Sequence, residues 1–569
     1  MQKRLTFLAI AFLILCGSLV VRLAYFQIIK AQELAARGRF QHNIGRVIST
    51  NRGSILAADG TYLAASNDAW LVYASMNKFT TDPGEAALKL AQIFITDTND
   101  KSSQIDEINR IRNLLSQKEL VWIPLKQKIS AETKKKIEAL DLPGIGFEKQ
   151  EARVYPEGVA AAQLLGFVGK DEDGADKGYF GLEGYYDFML TGRKGFLERE
   201  SDAFGSPILF GESKQINPSG GVDLVTYVDK RVQLLLDQKL EEGIEKYGAK
   251  AGSGIIMNPK TGGIMAMSSF PSFDPRTYQD YSDELFKNPI ISDSFEPGSI
   301  FKPIIMASAL DAGLISPDTI CDACSGPVAV DKYSISTWND QYFPNSTMTD
   351  VIVHSDNVGM VYVGKKLGID KLYDYITNFG FGSPTEIDLQ GEAIPGVKHK
   401  DQWNIVDQAT ISFGQGIAVT PIQMVRAIAT IANGGRQVTP HVVKQLAKDA
   451  WSQTIDIGES KQVVSPGAAS GITQMMQQAV GAGEAKWAAP KGYDIAGKTG
   501  TAQIPVAGHY DPEKTNASFV GFAPAANPRF VMLITLKEPQ TSPWAAETAA
   551  PLWFGIAKEL FAYMGIQPN

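Results

Sequence analysis

The sequence predicts an α+β fold, one antiparallel sheet flanked by helices, carried behind a single N-terminal membrane-spanning helix. Three observations predict it. Strand-like runs open and close the C-terminal region, with a helix-rich stretch between them. One apolar run, and only one, stands at the N-terminus. The 569-residue length, at 44% hydrophobic and 20% charged residues, is that of a folded chain too long for one core, so two or three domains are expected.

At the N-terminus, Lys3 and Arg4 precede apolar residues 5–21, and a second apolar stretch, 23–29, follows Arg22. Together they are long enough to span a bilayer as a helix. No small-x-small cleavage site follows directly, and bulky Leu15 before Cys16 argues against lipoprotein processing, so an uncleaved anchor is expected. Basic residues on both flanks leave its orientation open.

Residues 40–215 mix short elements. Residues 86–95 and 131–140 read as helices, and 70–75 and 120–124 as strands, with Gly/Pro punctuation at 143–144 and 174–184. A polar, Gly/Ser-rich stretch at 211–221 marks a domain junction. The expected division is therefore 1–30 (tail and anchor), 31–215 and 216–569.

Beyond the junction, 221–228 reads as a strand and Lys230–Tyr247 as a helix. Residues 253–257 and 263–269 read as a hairpin turning at 259–262. Helices dominate 299–432, strands return at 495–503, 517–522 and 530–536, and a helix over 546–564 closes the chain.

The net charge of −8, the pI near 5.4 and the lack of a basic stripe exclude nucleic-acid binding by phosphate neutralisation. Three cysteines exclude a disulfide scaffold. Cys321 and Cys324 form a C-x-x-C pair with no second pair, and the nearest histidine, His354, is distant. Zinc is thus not expected, and free thiols or one short structural disulfide remain. No metal or organic cofactor is expected.

Three short motifs occur in order: Ser299-Ile-Phe-Lys302, Ser355-Asp-Asn357 and Lys498-Thr-Gly-Thr501. Each is weak alone. Ser75-Met-Asn-Lys78 and Lys260-Thr-Gly262 repeat two of them, at a strand end and on a hairpin turn. Pro297-Gly298 breaks the chain before Ser299, which is then expected at a helix start, with Lys302 on the same helical face. A serine hydroxyl needs a base, and an amine serves only if burial or a second cation lowers its pKa; Lys498 is the candidate second cation.

Ser355 can relay a proton to a leaving amine, and the Asn357 carboxamide can hold a substrate peptide group, although Ser, Asp and Asn are also favoured helix caps. Lys498 with Thr499 and Thr501 suits a carboxylate, and Gly500 permits close backbone approach. The Thr501 and Ser299 N–H groups can form an oxyanion hole. His354 reads as a packed or surface residue.

The ordered trio resembles the signature of the penicilloyl-serine transferases. The surroundings resemble class B penicillin-binding proteins: 295–303 around the nucleophile, Gly414-Gln-Gly416 with 419–423, the hairpin 254–275, and, nearer the N-terminus, 52–55, Asp59-Gly60, Arg153-x-Tyr-Pro156 and Gly181-Leu-Glu-Gly184. The resemblance implies a penicillin-binding transpeptidase domain on an elongated, non-catalytic pedestal. It implies D,D-transpeptidation of stem peptides ending in D-Ala-D-Ala through an acyl-enzyme on Ser299, with β-lactams as mimics. Ser299, Lys302, Ser355, Asn357 and Lys498 would be catalytic, and Thr499, Gly500 and Thr501 substrate-binding. It also implies a single pass through the cytoplasmic membrane with the catalytic domain outside. Residues 181–187 and 379–389 look more like division-type than elongation-type members, which work beside a membrane-embedded SEDS-type glycan polymerase and divisome proteins.

The rival reading is a hydrolase of the same fold, a D,D-carboxypeptidase or a β-lactamase. Glu386-Ile-Asp-Leu-Gln390 superficially resembles a water-activating loop, and the transpeptidases usually carry Gly at the Glu386 position. A drug sensor would need a sizeable cytoplasmic partner region, and a degenerate scaffold would have lost part of the trio.

Overall fold

The computed structural model describes residues 2–34, 43–48, 50–95, 101–200, 213–506 and 509–568. Two compact units emerge, residues 1–52 with 191–221, and residues 53–190 with 222–569.

In the first unit the helix Gln2–Ala24 continues through a π-helical turn, Tyr25–Ile29. This apolar 28-residue span has no buried residue and is long enough to cross a membrane. Strands Asn43–Ile48, Gly195–Glu200 and Ser213–Ile216 form a three-stranded antiparallel sheet. The last strand falls within the stretch read as a junction, whose first two residues lie outside the described residues.

In the second unit the long strand Tyr62–Ser75 pairs antiparallel with Trp122–Ile129 and with Ile145–Val154. Helices Pro83–Phe94 and Lys101–Leu115 pack on it, burying Leu90 and Ile111 against Val72 and Leu125. The first helix starts at 83 because Asp82 accepts hydrogen bonds from the Gly84 and Glu85 N–H groups and Pro83 presets the first turn.

The C-terminal region is built on the expected antiparallel sheet, in the order Ile264–Phe270, Ala251–Met257, Phe530–Lys537, His509–Ala523, Ala496–Val506. Helices Lys230–Tyr247 and Ala549–Met564 cover one face, around Leu236, Phe519, Trp553 and Phe561. Helices Lys302–Asp311, Asn357–Asn378, Pro421–Ala432 and Pro466–Ala482 contribute to a separate core with Val520, Phe522 and Leu533 of the sheet. Cys321 and Cys324 form a disulfide.

The strand expected at 221–228 departs from this plan. Asp223–Thr226 pairs with Val443–Lys448 and, in parallel, with Ile55–Leu56. It thus belongs to a seven-stranded mixed sheet running from Trp451–Thr454 to Trp122–Ile129. Its pairing partners lie far off in sequence, which local periodicity cannot reveal.

Three of the four N-terminal motifs meet at Gly53, Arg153 and Glu183. Arg153 Nε donates to Glu183 Oε1 at 2.6 Å, both side chains being almost fully buried, while Arg153 Nη1 donates to the Gly53 carbonyl at 2.8 Å. Nearby, Asp388 accepts from the Tyr186 hydroxyl (2.9 Å) and from the Val442 and Val443 N–H groups (2.6 and 2.9 Å), and burial pushes its carboxyl pKa up. Gln390 Oε1 accepts from the Phe180 N–H at 2.9 Å. The 386–390 loop thus fastens the 180–186 segment to the strand Val443–Lys448.

Candidate active site

Ser299 lies on a single 3-10 turn, Gly298–Phe301, which runs into the helix Lys302–Asp311. Residues i and i+3 eclipse in a 3-10 turn, so Ser299 and Lys302 share one edge, as their spacing predicts. The turn is held from below by glycine. Gly298 N–H donates to the Gly414 carbonyl at 3.0 Å, and Gly414 has φ +86°. A Cβ on Gly414 would stand 2.1 Å from the Gly298 oxygen, so no other residue permits this contact. Glu296 Oε1 accepts from the Gly416 N–H at 3.0 Å, and Phe295 and Val419 exchange both backbone hydrogen bonds. The Gly414-Gln-Gly416 motif therefore cradles the serine.

Lys302 is fully buried. Its Nζ donates to the Ser355 carbonyl (2.5 Å) and to Asn357 Oδ1 (2.8 Å), with Ser355 Oγ at 3.3 Å. Asn357 Nδ2 donates to the Ser336 carbonyl at 3.2 Å, which fixes which end of the carboxamide faces the lysine. Burial first, then the Lys498 charge, pull the Lys302 pKa well below its ordinary value, against the opposing pull of Asp356 and Glu484. A neutral amine has two hydrogens and one lone pair. The Ser355 carbonyl and Asn357 Oδ1 can only accept, so they occupy both hydrogens and leave the lone pair for a hydroxyl.

Local structure delivers these partners. Thr347 and Asp350 form a capping box that starts the helix Met348–Val353. Ser355 then takes a left-handed conformation, φ +56°, a strained geometry for a residue with a Cβ. Asp356 caps the next helix by accepting from the Val358 and Gly359 N–H groups at 2.7 and 3.3 Å. His354 stacks on Phe343 with ring centroids 4.0 Å apart, the packed histidine expected.

The third motif lies on Ala496–Val506, the edge strand of the sheet. Lys498 is buried, its pKa lowered by that burial, and its Nζ reaches the Thr499 carbonyl and Oγ1 at 3.3 and 3.2 Å. Gly500 faces the Ser299 turn: a Cβ there would come within 2.7 Å of Ile300 Cγ2 and 3.1 Å of Ile300 N. Thr501 Oγ1 accepts from the Ala545 N–H at 3.1 Å. Thr499 Oγ1 donates to Glu484 Oε2 at 3.4 Å.

Ser299, Asn357 and Thr501 line one cavity of about 210 Å³, with Trp338, Phe413, Gln415 and Trp544 among its walls. Trp338 and Trp544 meet at 5.0 Å between ring centroids. Lys302 and Lys498 are buried and, like Ser355, Thr499 and Gly500, stand outside that lining. The arrangement offers a partly exposed alcohol, a buried amine base and a cation with hydroxyls suited to a carboxylate. Among the described residues no cluster of three or more His, Cys, Asp or Glu side chains suited to a metal is present.

The two look-alike motifs stay apart from this site: Ser75 ends a strand and bonds Asn77, and Lys260 bonds Asn527 from its hairpin turn. Glu386 is exposed, has φ +64° and does not line the cavity. That left-handed backbone is why glycine suits the position. Sequence reasoning missed Glu484, Trp338 and Trp544, which sit in loops without a motif.

Residues 252–562 match the penicillin binding protein transpeptidase domain, and 47–226 match the penicillin-binding protein dimerisation domain. Stage V sporulation protein D of Bacillus subtilis is 32% identical, over 100% of this chain and 87% of its own length. Peptidoglycan D,D-transpeptidase FtsI of Escherichia coli K12 is 27% identical, over 100% of this chain and 94% of its own. The crystal structure of penicillin binding protein 3 from Mycobacterium tuberculosis, complexed with aztreonam, superposes with a TM-score of 0.71 at 26% identity, covering 92% of this chain and 98% of that one. With both domains matched along the chain and a relative of 32% identity covering all of it, the chain belongs to the class B penicillin-binding proteins and is a peptidoglycan D,D-transpeptidase.

Proposed function

We propose that Ser299 is the nucleophile and Lys302 its base, and that the enzyme cross-links stem peptides ending in D-Ala-D-Ala during septal wall synthesis. The observation that carries this is the saturation of the Lys302 hydrogens by the Ser355 carbonyl and Asn357 Oδ1, which aims a lone pair towards a hydroxyl. Lys302 takes the Ser299 proton as Oγ bonds to the penultimate D-Ala carbonyl carbon. The peptide C–N bond breaks, and the terminal D-Ala amine leaves with a proton relayed through Ser355. The Ser299 and Thr501 N–H groups steady the oxyanion, a contribution worth about 10²–10³ in rate per donor. Lys498, Thr499 and Thr501 hold the substrate carboxylate, and Gly500 lets it approach the strand. A neighbouring stem amine then resolves the ester, and β-lactams acylate the same serine.

The hydrolase alternative would use Glu386 to activate water, but its backbone N–H bonds Glu392 and its charge acts on Arg426 and Tyr185, with none felt at Lys302 or Lys498. In this reading residues 1–30 are tail and anchor, 31–215 the pedestal and 216–569 the catalytic domain. The anchor crosses the cytoplasmic membrane once with the catalytic domain outside, beside a SEDS-type polymerase and divisome proteins. Intact-mass spectrometry with peptide mapping tests the chemistry. One penicilloyl adduct on the peptide carrying Ser299, absent in Ser299→Ala, is the expected result; an adduct that persists in the variant rejects the assignment. Sustained turnover of nitrocefin would favour the hydrolase. A fluorescent fusion should concentrate at mid-cell.

A further inference from the structure

Glu484 sits one residue into the turn between the helix Pro466–Ala482 and the strand Ala496–Val506. Two contacts pin the turn: Gly483 N–H donates to the Ala479 carbonyl at 3.0 Å, and Lys486 N–H to the Gly483 carbonyl at 3.3 Å. The next side chain, Ala485, is buried in the core under the sheet. A carboxylate is thus held on a fixed backbone, solvent-exposed, and receives the Thr499 hydroxyl. Among the described residues it forms no ion pair. Its position works against the first half of the reaction, because its negative charge pulls the pKa of the Lys302 base upward, against burial and the Lys498 charge that lower it. It also stands beside a threonine assigned to grip an anion. A group that opposes acylation and carboxylate binding calls for a substrate of opposite charge, and the reaction has one: the ammonium of the acceptor.

We infer that Glu484 is the binding residue for the acceptor, a primary ammonium on a neighbouring stem peptide, which it draws to the acyl-enzyme from the Thr499 side of the strand. This rests on the transpeptidase reading above. The Lys498–Thr501 strand then presents complementary charges to the two substrates, buried Lys498 for the donor carboxylate and, bonded to Thr499, exposed Glu484 for the acceptor cation. The ammonium bound there releases one proton to solvent. Its nitrogen bonds to the ester carbonyl carbon, the carbon–Oγ bond of Ser299 breaks, and the second nitrogen proton returns to Oγ through Lys302.

The test uses full-length enzyme in detergent, a thioester donor ending in D-Ala, and Glu484→Gln. Two readings should move in opposite directions. Acylation by penicillin should rise at pH below neutrality, since an opposing charge has left the lysines. Partition of the acyl-enzyme towards D-alaninamide, a cationic amine without a carboxylate, should fall about tenfold, as a rise in acceptor KM overcome by more D-alaninamide. Partition towards hydroxylamine, uncharged at neutral pH, should stay as in the parent. An unchanged D-alaninamide partition overturns the inference, as does an equal loss with hydroxylamine. A fall in acylation alongside the partition would mark Glu484 as merely structural and also overturns it. Absence of any acyl-enzyme in the parent would instead defeat the underlying transpeptidase reading.

Discussion

The Lys302 amine lies 2.8 Å from Asn357 Oδ1, and Asn357 is locked in turn by its own donation to the Ser336 carbonyl. The carboxamide is therefore a fixed acceptor that sets where the lysine lone pair points. Asn357→Ala should cut acylation by nitrocefin about 10²-fold, within the usual range for a general base. Asn357→Asp should be worse at neutral pH, because a carboxylate in that place holds the amine as ammonium. Stopped-flow traces from the two variants check the order.

The pH dependence follows from the neighbouring cation. Burial, and then the Lys498 charge, lower the Lys302 pKa, so the acid limb of acylation, where the base becomes protonated, lies below that of an ordinary lysine. Removing that charge raises the pKa. In Lys498→Gln the limb should move to higher pH, with a lower plateau from lost carboxylate binding. A limb that stays put, read from acylation rates across the pH range, would mean that burial alone tunes the base.

Gly414→Ala adds a methyl where the Gly298 carbonyl already stands, at a left-handed φ. The φ strain alone should cost about 1–3 kcal/mol, and the clash must displace the Ser299 turn. Thermal melting should fall, and acylation should fall further than stability explains.

The Arg153–Glu183 pair predicts a different signature. Glu183→Ala strands a buried guanidinium and should cost about 3–5 kcal/mol, whereas replacing both partners with apolar residues should recover part of that loss. Denaturant melts of the single and double variants measure the difference. Acylation of whatever folds should remain close to the parent.

Much of this was legible in the sequence because the information was local. The helix Lys230–Tyr247 has the expected bounds, with Asp229 capping its start and Gly248 its end. The hairpin at 251–270 shows through its Pro-Lys-Thr-Gly turn, and the Ser299–Lys302 pair through its spacing. What stayed hidden depends on contacts between distant segments. Asp223–Thr226 looks like a strand, but nothing near it says that Ile55–Leu56 will lie alongside in parallel. Glu484 looks like any surface carboxylate until the edge strand brings Thr499 to it. Trp338 and Trp544 are single aromatics in unpatterned loops, and only the fold makes them walls of one cavity. The C-x-x-C pair left thiols and disulfide equally open, and the structure has the disulfide.

The mixed sheet has a consequence for how the polypeptide matures. Ile55–Leu56 waits for Asp223–Thr226, and that strand waits again for Val443–Lys448, so its ladder closes only after most of the chain has been made. Closing such wide loops costs entropy before any contact rewards it, which slows assembly. A nascent chain that stalls beforehand carries unpaired edges of a kind that invites aggregation. Quality control of truncated copies should therefore matter more for this enzyme than for one whose strands pair with their nearest neighbours.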